Sequence, residues 1–446
     1  MRGKIFCVML LVFLFTCKLS LAEVSNEDLL SEIKALKEKI TQQEKRISGL
    51  EARLAEQEAM PKAVNLSDMT LEDFDRHLDA HLLHREEGYL MLGGLRTGIG
   101  ATFILQGTNN ANGGTLSEKG EDVTDASYSI DLEFEKEFEN YGKAFLHVET
   151  GDGPGVEDEL RVFSNANRDA DDSDSSMSVT EAWYEHYFNA APIKLMAGKI
   201  DGTILVDTNE YANDETTQFL GRAFRNSPVI EFPDNAAGMR LEIQPSDKVN
   251  ARFLMMDGDS DWEDVAEQGF YAIQLNLKPG FMEKPGNYRL IGWLSDREHT
   301  KWLDPAATKE NSYGFGLSFD QEITDVLGAF LRYGWQDPDV YLNGEDFSLE
   351  QAWSAGIQLK GSLWNREDDV FGIAMGQVIP SEEYKKAGTD LKAKDEGHFE
   401  AYYNYKVNEN LTLSPDIQVI WNPYGDDATN GKSTITVVGM RGQLDF

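Results

Sequence analysis

The sequence predicts an all-β fold: an antiparallel transmembrane β-barrel of about 16 strands, preceded by an N-terminal α-helical coiled coil. Three observations predict it. From residue 90 onward, apolar and polar residues alternate with a period of two. The runs are joined alternately by short turns and long polar loops, the outer-membrane barrel pattern. The chain ends TITVVGMRGQLDF, in which Val438, Met440, Leu444 and Phe446 share one face.

The first 22 residues read as a signal peptide. Arg2 and Lys4 precede an apolar run over 5–15, and Ser20-Leu21-Ala22 offers a small-x-small cleavage site. The run is too short to span a bilayer as a helix. Both cysteines, Cys7 and Cys17, fall in this segment, so the mature chain has no disulfide. A large exported protein without disulfides needs another closure, and a hydrogen-bonded barrel supplies one. The formal charge is −37; the signal holds three bases and no acid, so the mature chain carries −40. Such a balance argues against nucleic acid as a partner, since duplexes are bound through Lys and Arg.

Residues 23–60 predict the coiled coil. Ile33, Ile40, Ile47 and Leu54 fill one seam; Leu29, Leu36, Gln43, Leu50 and Gln57 fill the other. At 1.5 Å per residue the seam runs about 43 Å. Pro61 ends it. Within 61–88, a linker leads to an amphipathic helix from Thr70 to Glu86, with Leu71, Phe74, Leu78 and Leu82 as its stripe. His77, His81 and His84 share a face, which reads as a polar face before it reads as a zinc site, because no further ligand motif accompanies them.

The barrel is expected over 89–446. Leu95, Ile99, Ala101, Phe103 and Leu105 alternate with Arg96, Gly98, Gly100, Thr102 and Gln106. Ile130, Leu132 and Phe134 alternate with Asp131, Glu133 and Glu135. Met239, Leu241 and Ile243 face away from Arg240, and Arg252, Arg289, Arg332 and Arg441 recur on the same side of other strands. The stretch 202–235 has no clean period. Loops this long are uncommon in a compact domain and are usually functional. It carries Asp207 and Asn209, then Arg222 and Arg225, and is expected to fold back into the barrel. The lumen-facing candidates for solute contact are therefore Arg96, Asp131, Glu133, Arg240, Arg252, Arg289, Arg332 and Arg441, with Asp207, Asn209, Arg222 and Arg225 from the loop. Carboxylates and amides accept from sugar hydroxyls, and arginines donate in a fixed fork.

Several stretches carry a resemblance to the carbohydrate-selective porins, the OprB family. They are GKIDGTILVDTNEYANDETTQFL (198–220), GAFLRYGWQ (328–336), Leu413-Ser414-Pro415-Asp416-Ile417-Gln418 and Asn422-Pro423. The terminal segment also resembles the assembly signal of outer-membrane barrels, which ends in Phe. The resemblance covers most of 90–446 and none of the coil. It implies passive, carbohydrate-preferring diffusion of small polar solutes across the outer membrane of a Gram-negative bacterium, and a homo-oligomer, by analogy a trimer. The coil would then lie in the periplasm. The phosphate-selective porins also begin with a coil, but this chain's charge does not suggest their basic pore. Two other readings stand beside this one: a general or cation-preferring porin, which −40 suits, and an envelope tether touching the cell wall through the coil. No motif for catalysis is present, and no cofactor is expected. Weak calcium binding is the one exception left open, at the acidic loops 169–174 and 257–261. The second begins like an EF-hand but has Trp262 where that loop needs Gly and Gln268 where it needs Glu.

Overall fold

A computed structural model describes residues 83–86, 89–92 and 94–446, apart from 116–119, 170–175, 266, 389 and 429–431. The signal peptide, the coiled coil and residues 61–82, with His77 and His81, lie outside the described residues.

Alternation in the sequence becomes alternation in space. The strands are β1 (Leu83–Glu86), β2 (Tyr89–Leu92), β3 (Leu95–Asn109), β4 (Thr124–Glu137), β5 (Gly142–Asp152), β6 (Ser178–Phe188), β7 (Ile193–Ile200), β8 (Ala236–Ser246), β9 (Val249–Asp257), β10 (Gly269–Leu277), β11 (Gly286–Lys301), β12 (Glu310–Thr324), β13 (Leu327–Gln336), β14 (Val340–Leu342), β15 (Leu349–Lys360), β16 (Val370–Pro380), β17 (Glu396–Lys406), β18 (Leu411–Trp421) and β19 (Thr434–Asp445). From β3 to β13 and from β15 to β19, each pairs antiparallel with its successor, and β13 pairs with β15. Strand β19 pairs with β3 from Thr436↔Asn109 to Asp445↔Gly100, so sixteen strands form a closed barrel with no free edge. The last residue seals the join: Phe446 N–H donates to the Ile99 carbonyl at 2.9 Å, and the Phe446 carbonyl accepts from Ile99 N–H at 3.2 Å. Strand β14 is a short addition that pairs with the far end of β11.

The outward face is apolar. Ile99, Phe103, Leu105, Leu290, Leu331, Ile417, Val438 and Met440 are all exposed on it, as a lipid-facing belt requires. Among the described residues no helix is long and apolar enough to cross a membrane.

One expectation is corrected. The helix predicted as far as Glu86 gives way, over its last four residues, to β1, which contains His84. Strand β1 pairs antiparallel with β2, and β2 with the start of β3 (Met91↔Arg96). The backbone groups of 83–86 thus find cross-strand partners beside the sheet, which outweighs a local helical pattern.

The inward face departs from a simple polar lining. Met196, Ile200, Leu254, Met256, Phe270, Ile291 and Trp293 point inward from β7 to β11 and are buried. They are covered by Leu205, Val206 and Ile230 of the 201–235 loop. The same loop seats Tyr211, Phe219 and Phe224 against Phe330, Ala374 and Tyr402. Inward glycines let it approach: a Cβ on Gly328 would lie 2.2 Å from the Tyr211 ring, and one on Gly334 would lie 2.4 Å from Ser227 and Val229. A second loop, 153–177, also turns inward over its described part. Its Val156, Leu160 and Ala166 pack on Ile420, Ile435 and Val437 of β18 and β19.

Candidate functional site: the half-filled lumen

Both loops are held by side chains that point inward from distant strands. Arg332 on β13 is 1% exposed. Its Nε donates to Asp207 Oδ1 at 3.2 Å, Nη2 to the Asp207 carbonyl at 2.9 Å and to Asn213 Oδ1 at 3.2 Å, and Nη1 to the Phe224 carbonyl. The guanidinium therefore fastens three points of the 201–235 loop. Asp207 takes a left-handed φ of 61°, which turns the chain at this anchor. Its other oxygen accepts from Ser227 N–H at 2.7 Å, and its own N–H donates to Gln274 on β10 at 2.9 Å. Burial raises the Asp207 carboxyl above the ordinary range, while Arg332 and the Ser227 N–H hold it down in part. Asn209 donates to Ser318 on β12 at 3.3 Å.

The inward row of β17 carries both loops. Glu400 accepts from Leu220 N–H at 2.6 Å and Gly221 N–H at 2.9 Å, just before the single helical turn α1 (Arg222–Arg225). Glu396 accepts from Phe163 N–H at 2.9 Å and Ser164 N–H at 2.8 Å in the other loop. His398, between them, lies 3.0 Å from Ser164 Oγ. Each buried carboxylate is satisfied by backbone donors rather than by a cation, which is how a loop is fixed where side-chain charge is scarce. The loops also join each other through Arg168 N–H to the Leu220 carbonyl at 2.9 Å. Arg441 on β19 completes the seat with bonds to the Glu215 and Gln218 carbonyls at 2.6 and 2.9 Å.

The filled half leaves the other half open. A cavity of 1220 Å³ lies against the inward faces of β3 to β6 and reaches the short-turn rim at Glu409, Asn410 and Asp445. Its lining holds twelve Asp and Glu residues against three bases, Lys143, Arg168 and Arg225, so its field favours cations and repels anions. Lys143 is paired to Glu135 at 2.7 Å. An aromatic ledge, Phe145 with Trp183, stands in the same wall, the ring centroids 5.1 Å apart. Trp183 Nε1 donates to Glu181 at 2.9 Å.

The solute candidates named from sequence thus divide. Arg96, half exposed and 3.4 Å from Glu135, faces the lumen with Asp131 and Glu133. Asp207, Asn209, Arg332 and Arg441 are buried and serve as anchors of the loop. None of these four lines the open cavity; they bond instead to groups of the loop or of neighbouring strands. Arg240 pairs with Glu185, Arg289 with Asp320, and Arg252 with Glu242 at 2.8 Å and the Leu205 carbonyl at 2.9 Å. Arg225 is largely covered, held by Glu215 and by Thr203 at 2.9 Å. Arg222 alone of the loop candidates is exposed, and among the described residues no carboxylate lies within 4 Å of it. Enclosure by the barrel, then the positive charges of Arg168 and Arg225, lower its pKa to about 10. It stays charged at neutral pH. Sequence reading missed Arg168, Phe145, Trp183, His147, Glu396 and Glu400. The available signal was the same alternation, which puts all but Arg168 on the inward side of their strands. In the acidic loops, 170–174 lies outside the described residues, and Asp257 accepts from Trp262 N–H at 2.9 Å.

The profile of the family described as carbohydrate-selective porin, OprB family, matches residues 142–446. An uncharacterized protein of Aquifex aeolicus (strain VF5) is 26% identical over 250 residues, covering 56% of this chain and 63% of its own. The chain therefore spans somewhat less than two thirds of that relative. The high-pH structure of Pseudomonas putida OprB superposes with a TM-score of 0.65 at 15% identity, over 79% of this chain and 94% of that one. Its low-pH structure gives 0.49 at 14%, over 79% and 93%.

Proposed function

The chain belongs to the carbohydrate-selective porin, OprB family, and from that premise we propose that it is an outer-membrane channel for passive diffusion of small saccharides. The observation that carries the reading is the composition of the open half-lumen. Carboxylates line it to accept from hydroxyls, Arg168, with no acid partner among the described residues, stands at the loop to donate, and the Phe145–Trp183 ledge offers a face for the apolar side of a sugar ring. Such a wall replaces hydration as the solute passes, and no bond of the solute has to break. Binding is weak by design, because a solute held tightly does not leave.

The twelve-to-three excess of acids in the lining supports a second reading beside the first: small cations pass in preference to anions. We further place the barrel in the outer membrane of a Gram-negative bacterium as a homo-oligomer, a trimer by analogy, with the coil in the periplasm and available for cell-wall contact. Conductance of the mature protein in a planar bilayer tests the main reading. Saturable block by mono- or oligosaccharides is expected. Conduction indifferent to every sugar would leave a general cation-preferring porin, and no conduction would turn attention to the tether.

A further inference from the structure

We propose that Asp131, His147 and Glu149 form a lumen site for a divalent transition-metal cation, Zn²⁺. The residues come from adjacent strands, β4 and β5, in fixed register: Asp131 pairs with Glu149, and Glu133 with His147. One ligand atom from each lies within 4.8 Å of the others. A tetrahedral zinc with bonds near 2.1 Å separates its ligands by about 3.4 Å, so side-chain rotation by a fraction of an ångström to one ångström closes the site. Three protein ligands leave the fourth position to water, the open form of a zinc site.

The imidazole is what distinguishes this group from the other acids of the lumen. His147 Nε2 lies 2.9 Å from Asp131 Oδ1, and Nδ1 lies 2.7 Å from Thr180 Oγ1 on β6. A hydroxyl both donates and accepts. Without metal, Nε2 carries a proton toward Asp131 and the Thr180 hydroxyl donates to Nδ1. With metal, the ring carries its proton on Nδ1, which donates a hydrogen bond to Thr180 Oγ1, and the Nε2 lone pair faces the ion. An oriented second nitrogen of this kind is the usual outer partner of a metal-bound histidine. Imidazole with carboxylates selects zinc and its neighbours over calcium, which prefers oxygen alone. Glu133 and Glu181 face His147 from the flanking strands and add negative potential. The site opens on the 1220 Å³ cavity, so an ion reaches it from solution. A bound Zn²⁺ removes two negative charges from the acidic wall and occupies part of its section.

The test is Zn²⁺ binding to the folded full-length mature protein in detergent, by competition with a chromophoric chelator. A His77/His81/His84 triple-alanine background removes the N-terminal histidines from the count. One Zn²⁺ per barrel is expected, with Ca²⁺ a poor competitor. Thr180→Val should weaken binding by about tenfold to a hundredfold, and His147→Ala by more. Asp131→Asn and Glu149→Gln preserve shape and should weaken it as well, which keeps the proposal testable if the alanine variant fails to assemble. Equal affinity in all variants, or equal competition by Ca²⁺, would overturn it. In bilayers, Zn²⁺ should lower cation conductance in the parent and not in His147→Ala. The chelator measurement stands even where no channel is recorded, so failure of the site and failure of the porin reading are separable.

Discussion

Asp207 and Arg332 meet across 125 positions of sequence, Nε to Oδ1 at 3.2 Å, with each side chain 1% exposed. The pair is one of the anchors of a thirty-five-residue loop that fills one side of the barrel, beside Glu400, Arg441 and the apolar seat. Removing one partner of a buried pair costs about 3–5 kcal/mol, because the other is left uncompensated. Arg332→Ala should therefore release the loop while the sheet, closed by β19 on β3, persists. Single-channel records should show noisier, altered conductance, and hydrogen exchange over 205–230 should quicken. Unchanged exchange would mean that the apolar seat alone holds the loop.

The glutamate row of β17 yields a paired prediction. Glu400→Gln should loosen 215–225, and Glu396→Gln should loosen 160–166, each with little effect on the other segment. A neutral amide accepts one backbone N–H well and a second poorly, so each change costs about 1–3 kcal/mol of loop docking. Segment-resolved exchange reads this directly; loosening of both segments by either change would show that the loops dock as one unit.

Arg222 is exposed, charged and without an acid partner among the described residues. Arg222→Ala should weaken saccharide block severalfold and raise cation selectivity, leaving assembly intact. Arg332→Ala should differ by changing the open conductance itself. Reversal potentials in a salt gradient, with sugar titrations, check the contrast.

The acidic lining predicts cation preference that fades with salt. At 0.1 M the screening length is about 10 Å and at 1 M about 3 Å. Selectivity measured in dilute KCl should fall toward the bulk ratio in concentrated KCl. Glu133→Gln with Glu181→Gln should reproduce much of that fall at low salt.

The 153–177 loop gives a pH prediction. Glu157 accepts from Ala166 and Asn167 N–H, yet burial, with help from Glu396, raises its pKa from 4.5 to about 7. Asp169, bonded to Ser129 on β4, is raised to about 7 chiefly by burial. The docked loop binds protons more tightly than the free loop does. Docking is therefore fully favoured below pH about 4, where both forms are protonated, and weakens as pH rises through about 7. Exchange over 156–167 should quicken across that window. Glu157→Gln should flatten the response, and a loop that tightened with rising pH would contradict the sign.

The strand pattern was legible because β alternation is local. Leu331 and Arg332 are neighbours, and the pleat alone sends one to lipid and the other inward. The closing strand was legible too, since Val438, Met440, Leu444 and Phe446 declare their shared face. That the 202–235 loop turns inward followed from its length and polarity. What the sequence alone could not decide was the fate of each inward side chain. Arg96 and Arg332 look alike as inward arginines, yet one meets the open lumen and the other lies beneath Asp207. That difference depends on register and on which strands the loop crosses, relations between residues more than a hundred positions apart. The second inward loop was hidden for the same reason: Phe163 and Ser164 give no local sign that Glu396 awaits them. Near the N-terminal edge, the pattern over 83–86 read as helix because a helical stripe is also local; only pairing with 89–92 made it a strand. The sequence by itself determined a closed barrel, since period, turns and terminus are properties of neighbouring residues. The tertiary structure decided which half of it is filled, because only packing brings distant donors and carboxylates within hydrogen-bond reach.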